Sequence, residues 1–165
     1  MTRPSDLTTI GFGGGCHWCT EAVFASLRGV ASVDQGFAKS EPPNDTWSEA
    51  VRIAFDPSRI TLRVLIEVHL RTHASTSNHK MRGKYRSAVY TLSETQSDEV
   101  RDLLGALRQE FDAPLVTQVI PMTGFRQSDP RFHRYFQRNA GGPFCTRYID
   151  PKLALLRDRF ADFTV

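Results

Sequence analysis

The sequence has no apolar run that approaches the roughly 20 residues needed to cross a membrane. Its first ten residues, MTRPSDLTTI, lack the apolar core and the cleavage site of a secretory signal. Internal repeats, low-complexity tracts and convincing linkers are missing as well. These absences argue against membrane-spanning and repeat proteins, and we expect one domain over residues 1–165 in the cytoplasm.

Positive charge is not concentrated anywhere along the chain. The formal net charge is only +3, and the lysines and arginines are scattered rather than gathered in a run. The sequence therefore has no footprint of nucleic-acid binding. We expect neither nucleic acid nor a membrane as a partner, and we expect a monomer.

Cysteine is scarce. Only Cys16, Cys19 and Cys145 are present, and an odd number this small does not suggest a secreted scaffold held together by disulfides. In a reducing compartment we expect each of them to be reactive, metal-bound or buried.

What is present is a regular alternation of predicted strands and helices. The apolar spacing predicts β-α-β-β-α-β, followed by α-β and a helical tail. Strands are predicted at LTTIGFG, ASVDQGF, AVRIAF, SAVYTL and LVTQVI, and helices over 17–28, 62–73, 94–111 (opened by a capping box of Ser93 and Gln96), about 130–138 and 151–160. KSEPPND (39–45) is predicted to be a surface loop between two strands, and NAGGP (139–143) a helix end with a turn. We predict an α+β fold with two layers, namely a ferredoxin-like (split βαβ), mainly antiparallel sheet with packed helices and a helical C-terminal tail.

The stretch GFGGGCHWCTEAVF, residues 11–24, carries the strongest chemical signal. Cys16 stands between a glycine-rich turn and the first turn of a predicted helix, where unpaired N–H groups and the helix dipole stabilise negative charge. We therefore expect a lowered pKa and a nucleophilic thiolate at Cys16. Gly13, Gly14 and Gly15 are expected to leave room for a substrate, although a buried cysteine in a tight turn is the alternative.

Two other functions stay open at this point. Cys19 follows one helical turn after Cys16, so a general CxxC dithiol–disulfide oxidoreductase is possible. His69 and His73 could join the cysteines in a non-catalytic metal-binding or redox-sensing module. The histidines share an apolar helical stripe, however, which favours a role in packing.

Several segments in the same order resemble the A-type peptide methionine sulfoxide reductases. GGGCHWCTEAVF resembles that family's GCFWG(x)E(x)xF, and GVASVDQGFA, SEAVRIAFDPSRI and KYRSAVY resemble its GYA, HAEVV…DP and QYRSAIY segments. Near the end, FHRYFQRN, PFC and IDPK resemble YHQ-x-Y-x-x-NP, YC and I-x-PK. The resemblance extends from about Gly11 to Lys152, and its motifs are specific in combination.

The resemblance implies a thiol-dependent reduction of methionine S-sulfoxide, free or in proteins, without a cofactor or metal. A cysteine sulfenic acid forms first and a disulfide second, which thioredoxin or a similar dithiol reductant then opens. The implied catalytic residues are Cys16, Glu49 and Tyr85. The implied resolving cysteine is Cys145, with Cys19 as the nearer candidate or as a relay, and the implied substrate-binding residues are Trp18, His17 and Phe37. A cysteine nucleophile with a glutamate and a tyrosine as proton and hydrogen-bond donors fits this reaction, because a sulfoxide oxygen leaves sulfur only when it is protonated.

The chain also departs from the family pattern. His17 replaces a phenylalanine, Phe37 replaces a tyrosine, Cys19 replaces a common glycine, and the segment between Phe37 and Glu49 is short. Lys80 and Arg82 stand where an acidic residue and a glycine are usual. From these changes we expect a more open and more basic site that favours a small or an anionic sulfoxide.

Overall fold

A six-stranded mixed sheet forms the middle of the computed structural model, which describes residues 6–165. The strands are β1 (Thr8–Gly13), β2 (Val30–Lys39), β3 (Ser48–Phe55), β4 (Ala88–Thr91), β5 (Gln118–Pro121) and β6 (Gly124–Gln127). They lie in the order β5-β4-β1-β3-β2-β6. Only β4 and β5 are parallel, and every other neighbouring pair is antiparallel.

Five α-helices accompany the sheet in the described residues: α1 (His17–Ala25), α2 (Leu62–Arg71), α3 (Glu94–Leu107), α4 (Tyr135–Asn139) and α5 (Asp150–Arg159). The first six elements give the order β4-β1-β3-β2 with α1 and α2 as crossovers, which confirms the predicted split βαβ core. A turn of π-helix, Cys145–Ile149, leads directly into α5. None of these helices combines the length and the hydropathy that spanning a bilayer requires.

The main core lies between one face of the sheet and the helices. Val51, Ile53 and Phe55 of β3 point into it, as their alternation predicted, and meet apolar residues of α1, α2, α3 and α5. A smaller cluster around Tyr90 lies on the opposite face of the sheet. The two-layer α+β prediction is therefore confirmed.

Several boundaries differ from the prediction. The first helix ends at Ala25 rather than at residue 28, and Gly29 takes a φ of 94° in the turn that follows. The third helix ends at Leu107, and a 3₁₀ turn precedes Phe111. LVTQVI contributes only its last three residues to β5, and β6 was missed because GFRQ has no apolar alternation.

The predicted capping box at α3 forms in part. The Ser93 hydroxyl accepts a hydrogen bond from the Gln96 backbone N–H at 3.1 Å. The Gln96 side chain returns to the N–H of Leu92 at 2.9 Å instead of that of Ser93, and it also donates to the Thr9 carbonyl. Gln96 thus ties the start of α3 to β1.

Candidate active site around Cys16

Cys16 is the residue that precedes α1, directly after the glycine-rich end of β1. A β-carbon at Gly13 would lie 3.0 Å from the carbonyl oxygens of both Glu49 and Arg86, and one at Gly14 would lie 2.4 Å from the His73 ring. A β-carbon at Gly15 would have nothing within 4 Å. Gly15 therefore leaves open space as expected, whereas Gly13 and Gly14 are required by close packing, which corrects the expectation for these two.

The surroundings of Cys16 favour its thiolate, as the sequence predicted. A hydrogen bond from the Cys19 thiol lowers the pKa of Cys16, and the backbone N–H groups of Trp18 and Cys19 act in the same direction. Burial and the carboxylate of Glu49 raise this pKa but are outweighed. Cys16 is half-buried, so its sulfur remains accessible to a substrate.

The other two cysteines lie behind Cys16, and all three are free thiols. Cys19 is buried, and the hydrogen bond that it gives to Cys16, together with burial, raises its own pKa strongly. Cys145 is completely buried and close enough to Cys19 to affect its ionisation. Cys19 therefore interacts with Cys16 through a hydrogen bond and with Cys145 through its charge.

A cavity of about 540 Å³ opens beside Cys16 and Cys19. Its walls come from the glycine turn, α1, the end of α2, the segment before β4 and the C-terminal helices, and they include Gly15, Cys16, Cys19, His69, His73, Tyr85, Phe144, Tyr148 and Lys152. The cavity is large enough for an amino-acid side chain and is lined by both cysteines, but its lining does not include Glu49, His17, Trp18 or Phe37.

Lys152, on the first turns of α5, is the cation of this cavity. Its ammonium donates a hydrogen bond to the carbonyl oxygen of Thr72, and it attracts negative charge on both Cys19 and Cys16. Burial lowers the pKa of Lys152. The sequence placed this lysine in the IDPK segment but assigned it no role.

Glu49 lies within reach of Cys16 because it caps α1 from a neighbouring strand. The helix has no acidic residue in its own first turn, and the Glu49 carboxylate accepts a hydrogen bond from the His17 backbone N–H at 3.1 Å. The side chain of Glu49 is only 8% exposed, and its second oxygen lies 3.6 Å from the Lys84 ammonium. A buried carboxyl group is therefore held at the same helix end as the thiolate.

The His17 ring lies against Glu49. Its Nδ1 atom is 2.9 Å from the carbonyl oxygen of Gly36, and because a carbonyl only accepts hydrogen bonds, Nδ1 carries the proton. Its Nε2 atom faces Glu49 Oε1 at 3.6 Å. The structure thus brings His17 and Glu49 together as one polar pair beside Cys16.

The predicted substrate-binding aromatic residues form a row along α1 and β2. The ring of Phe37 meets His17 edge-on with the centroids 5.2 Å apart, and Trp18 follows at 6.4 Å from His17. One face of Trp18 is stacked on Tyr135 at 4.1 Å, and Phe144 meets it edge-on. Sequence reasoning missed Tyr135 and Phe144, although both belong to segments that resemble the family.

Glu21 holds this C-terminal aromatic segment against α1. Its buried carboxylate accepts hydrogen bonds from the backbone N–H groups of Arg134 and Tyr135 at 2.9 and 3.1 Å and from the Gln35 side chain at 3.1 Å. Glu21 is the glutamate of the GCHWCTEAVF stretch, so the motif itself contained a signal for this role.

Tyr85 lines the cavity. The two basic residues of the preceding segment, Lys80 and Arg82, do not make the site more basic as the sequence suggested. The Arg82 guanidinium donates from Nη1 to the carbonyl oxygens of Gly14 and Tyr85 at 2.9 and 2.8 Å, and its Nε and Nη2 atoms each donate to one further backbone carbonyl. Arg82 is therefore a clamp for the loop rather than a ligand for an anion, and Lys80 is exposed at the start of a 3₁₀ turn.

His69 and His73 belong to the packing of the cavity floor. His69 donates from Nε2 to the Gly13 carbonyl at 2.7 Å, and His73 contacts the His69 carbonyl and the Ser87 hydroxyl. Burial lowers the pKa of His69 to about 4 and that of His73 well below its usual value, so both are neutral at pH 7. Over residues 6–165, no group of three or more histidine, cysteine, aspartate or glutamate side chains is arranged to hold a metal ion.

The chain is similar to known proteins both in sequence and in fold. The family model for peptide methionine sulfoxide reductase matches residues 8–163. The chain is 35% identical to the peptide methionine sulfoxide reductase MsrA of Ralstonia nicotianae, over 98% of this chain and 95% of that protein. Among solved structures, methionine sulfoxide reductase A of Corynebacterium diphtheriae is similar with a TM-score of 0.71 at 23% identity, covering 83% of this chain and 76% of that one.

A further solved structure, Mxr1 from Saccharomyces cerevisiae in complex with Trx2, has a TM-score of 0.64 at 20% identity and covers 78% of this chain and 86% of that one. At such identities the structural likeness supports the fold alone. The family model covers residues 8–163, and the Ralstonia relative is similar over nearly its whole length. This chain therefore belongs to the peptide methionine sulfoxide reductase family.

Proposed function

We propose that Cys16 performs the thiol-dependent reduction of methionine S-sulfoxide to methionine. One observation carries this proposal, namely an accessible cysteine whose surroundings lower its pKa and which shares a helix N-terminus with the buried carboxyl of Glu49. A nucleophile and a proton donor at one point are what the attack on a sulfoxide requires.

In the first step the Cys16 thiolate attacks the sulfoxide sulfur while the oxygen takes a proton from Glu49. Tyr85, in the wall of the cavity, donates a hydrogen bond to the same oxygen as negative charge develops on it. The oxygen ends on Cys16 as a sulfenic acid, and methionine leaves with two more electrons than its sulfoxide had. Phe37, His17 and Trp18 bind the methyl group and side chain of the substrate.

Cys19 resolves the sulfenic acid. Its sulfur is already hydrogen-bonded to Cys16 and so stands next to the sulfenic acid: the Cys19 thiol displaces the hydroxyl, and a Cys16–Cys19 disulfide and water form. Lys152 stabilises the Cys19 thiolate during this attack. Cys145 then takes over the bond with Cys19, which frees Cys16, once the helical turn around Cys145 opens.

The final disulfide is reduced by thioredoxin or a similar dithiol protein. The solved complex of Mxr1 with Trx2 supports this choice of partner, and the three free thiols fit a reducing compartment such as the cytoplasm. The monomeric state stays a prediction.

The test uses the two sulfoxide epimers separately. With dithiothreitol as reductant, the protein should consume the S epimer of a blocked methionine sulfoxide and leave the R epimer, and Cys16→Ser should abolish turnover. Without reductant, one equivalent of substrate should oxidise two thiols, and peptide mapping should find Cys16 bonded to Cys19 or Cys19 bonded to Cys145. Equal consumption of both epimers, or activity in Cys16→Ser, would contradict the proposal.

A further inference from the structure

Three adjacent strands place the cation of Arg126 directly beside Phe37, one of the predicted substrate-binding residues. Glu49 of β3 is opposite Phe37 of β2, and Phe37 is opposite Arg126 of β6. Residues in register on neighbouring strands point to the same face of a sheet. Arg126 therefore lies on the Glu49 face, with its guanidinium 5.3 Å from the centre of the Phe37 ring.

A tryptophan holds two cations at this position. The Trp47 ring lies 4.9 Å from the Arg126 guanidinium and 5.0 Å from the Lys39 ammonium. Lys39 is opposite Gly124, where a β-carbon would lie 2.9 Å from the lysine side chain and 3.3 Å from the indole. Gly124 thus leaves the room in which Trp47 and Lys39 pack. We call Lys39, Trp47 and Arg126 the cationic ledge.

The charges of the ledge are not neutralised. Among residues 6–165, no ion pair involves Lys39 or Arg126, and Arg126 and Trp47 are exposed. Arg52 offers a contrast on the opposite face of the sheet. It also lies over an aromatic ring, Phe125 at 4.6 Å, but it is paired with Asp34 at 3.1 Å. Two unpaired cations, positioned by aromatic rings, are thus confined to the face that carries the site.

We propose that the cationic ledge binds acidic side chains that flank the methionine sulfoxide in a polypeptide substrate. The inference rests on the proposed function, since it assigns the rim of the same site. Phe37 separates the ledge from His17 and Glu49, and one residue of extended chain spans about 3.3–3.6 Å, so a neighbour one or two residues from the sulfoxide reaches Arg126. A carboxylate can accept two parallel hydrogen bonds from a guanidinium and fits this surface better than an amide or an ammonium group.

This inference also gives a different source for the anion preference expected from the sequence. Arg82 is occupied by backbone carbonyls, so it does not supply that preference. The sequence pattern gives no sign of Arg126 or Lys39 as site residues, since the four residues of β6 have no apolar alternation. Only the register of β6 on β2 brings them beside Phe37.

The test compares three blocked tripeptides in which methionine sulfoxide is flanked by two glutamates, two glutamines or two lysines, with dithiothreitol as reductant. The glutamate peptide should have a kcat/KM about threefold to tenfold above that of the glutamine peptide, and the lysine peptide should be the poorest. The preference should arise in KM and should vanish in about 0.5 M sodium chloride, because exposed charges are screened.

Substitutions in the cationic ledge test whether its charges cause the preference for the glutamate peptide. Arg126→Gln, and more strongly Arg126→Gln with Lys39→Gln, should bring the glutamate peptide down to the value of the glutamine peptide while turnover of the glutamine peptide stays the same. Arg52→Gln removes an equal charge from the opposite face and should leave the preference intact.

Three outcomes would overturn the inference. The first is equal use of the glutamate and glutamine peptides, and the second is a preference that survives in the double variant or disappears in Arg52→Gln. The third, measured with thioredoxin in place of dithiothreitol, is a change confined to the KM for thioredoxin, which would make the ledge a surface for the reductant. Turnover of the glutamine peptide reports the proposed function separately, and failure of all three peptides would overturn both.

Discussion

The hydrogen bond between Cys19 and Cys16 can be tested apart from the redox role of Cys19. Replacing Cys19 by alanine removes the donor that does most to lower the pKa of Cys16. A hydrogen bond to a charged group contributes roughly 1.5–3 kcal/mol, and a thiol is a weak donor, so we take about 1.5 kcal/mol. Cys19→Ala should therefore raise the pKa of Cys16, and at a pH below that pKa it should slow alkylation of Cys16 about tenfold.

Serine provides the matched variant. Its hydroxyl still donates a hydrogen bond, so Cys19→Ser should keep the pKa of Cys16 near the unsubstituted value, although neither variant can form a Cys16–Cys19 disulfide. The measurement is the pH dependence of alkylation of Cys16 by iodoacetamide, with the modified residue identified by mass spectrometry. Cys145→Ser is the control, because Cys145 is completely buried and does not contact Cys16 by a hydrogen bond. If the alanine and serine variants shift the midpoint equally, or if neither shifts it, the hydrogen bond is not what lowers this pKa.

Three further predictions follow from the cavity walls. Gly14→Ala should destabilise the fold by about 1–3 kcal/mol in urea unfolding because its β-carbon meets the His73 ring, whereas Gly15→Ala should stay within about 0.5 kcal/mol, and equal losses would contradict this assignment. Lys152→Met should slow disulfide formation about tenfold and the first release of methionine clearly less, with Lys152→Arg restoring part of the rate in quenched-flow thiol titration. The buried neutral His69 resists protonation down to pH about 4, whereas the unfolded chain takes up that proton near pH 6.5, so the stability present above pH 6.5 should fall by about 3 kcal/mol on going to pH 4. His69→Gln should reduce this loss of stability between pH 6.5 and pH 4 in urea unfolding. An unchanged loss would mean that other groups cause it.

Local patterns predicted the elements whose residues carry a repeating signal. The alternation of Val51, Ile53 and Phe55 placed β3 correctly, and Ser93 with Gln96 placed the start of α3. The thiolate character of Cys16 also follows from local sequence, because a helix start is defined by neighbouring residues. The order of elements in the split βαβ core could also be predicted, because each of its strands and helices has a local pattern of its own.

Contacts between distant segments were outside the reach of these patterns. Lys152 meets the two sulfurs only because α5 returns to α1, about 130 residues along the chain from Cys19. In the sequence Arg82 looks like a free cation, but in the structure its guanidinium donates hydrogen bonds to backbone carbonyls. A short strand such as β6 gains its identity from its partner β2 rather than from its own four residues.

The two departures at His17 and Phe37 are best understood together. Phe37 lacks the phenol that the family's tyrosine would bring to the site, and its ring touches His17. Because Nδ1 of His17 donates to Gly36, Nε2 of the neutral ring is left as an acceptor, and it faces the Glu49 carboxyl at 3.6 Å. His17 therefore supplies Glu49 with the polar partner that Phe37 cannot provide. A double-mutant cycle tests this compensation: His17→Phe should lower kcat about tenfold or more in the present chain, and clearly less when Phe37→Tyr is already present. Equal losses in the two backgrounds would mean that the histidine and the missing phenol act independently.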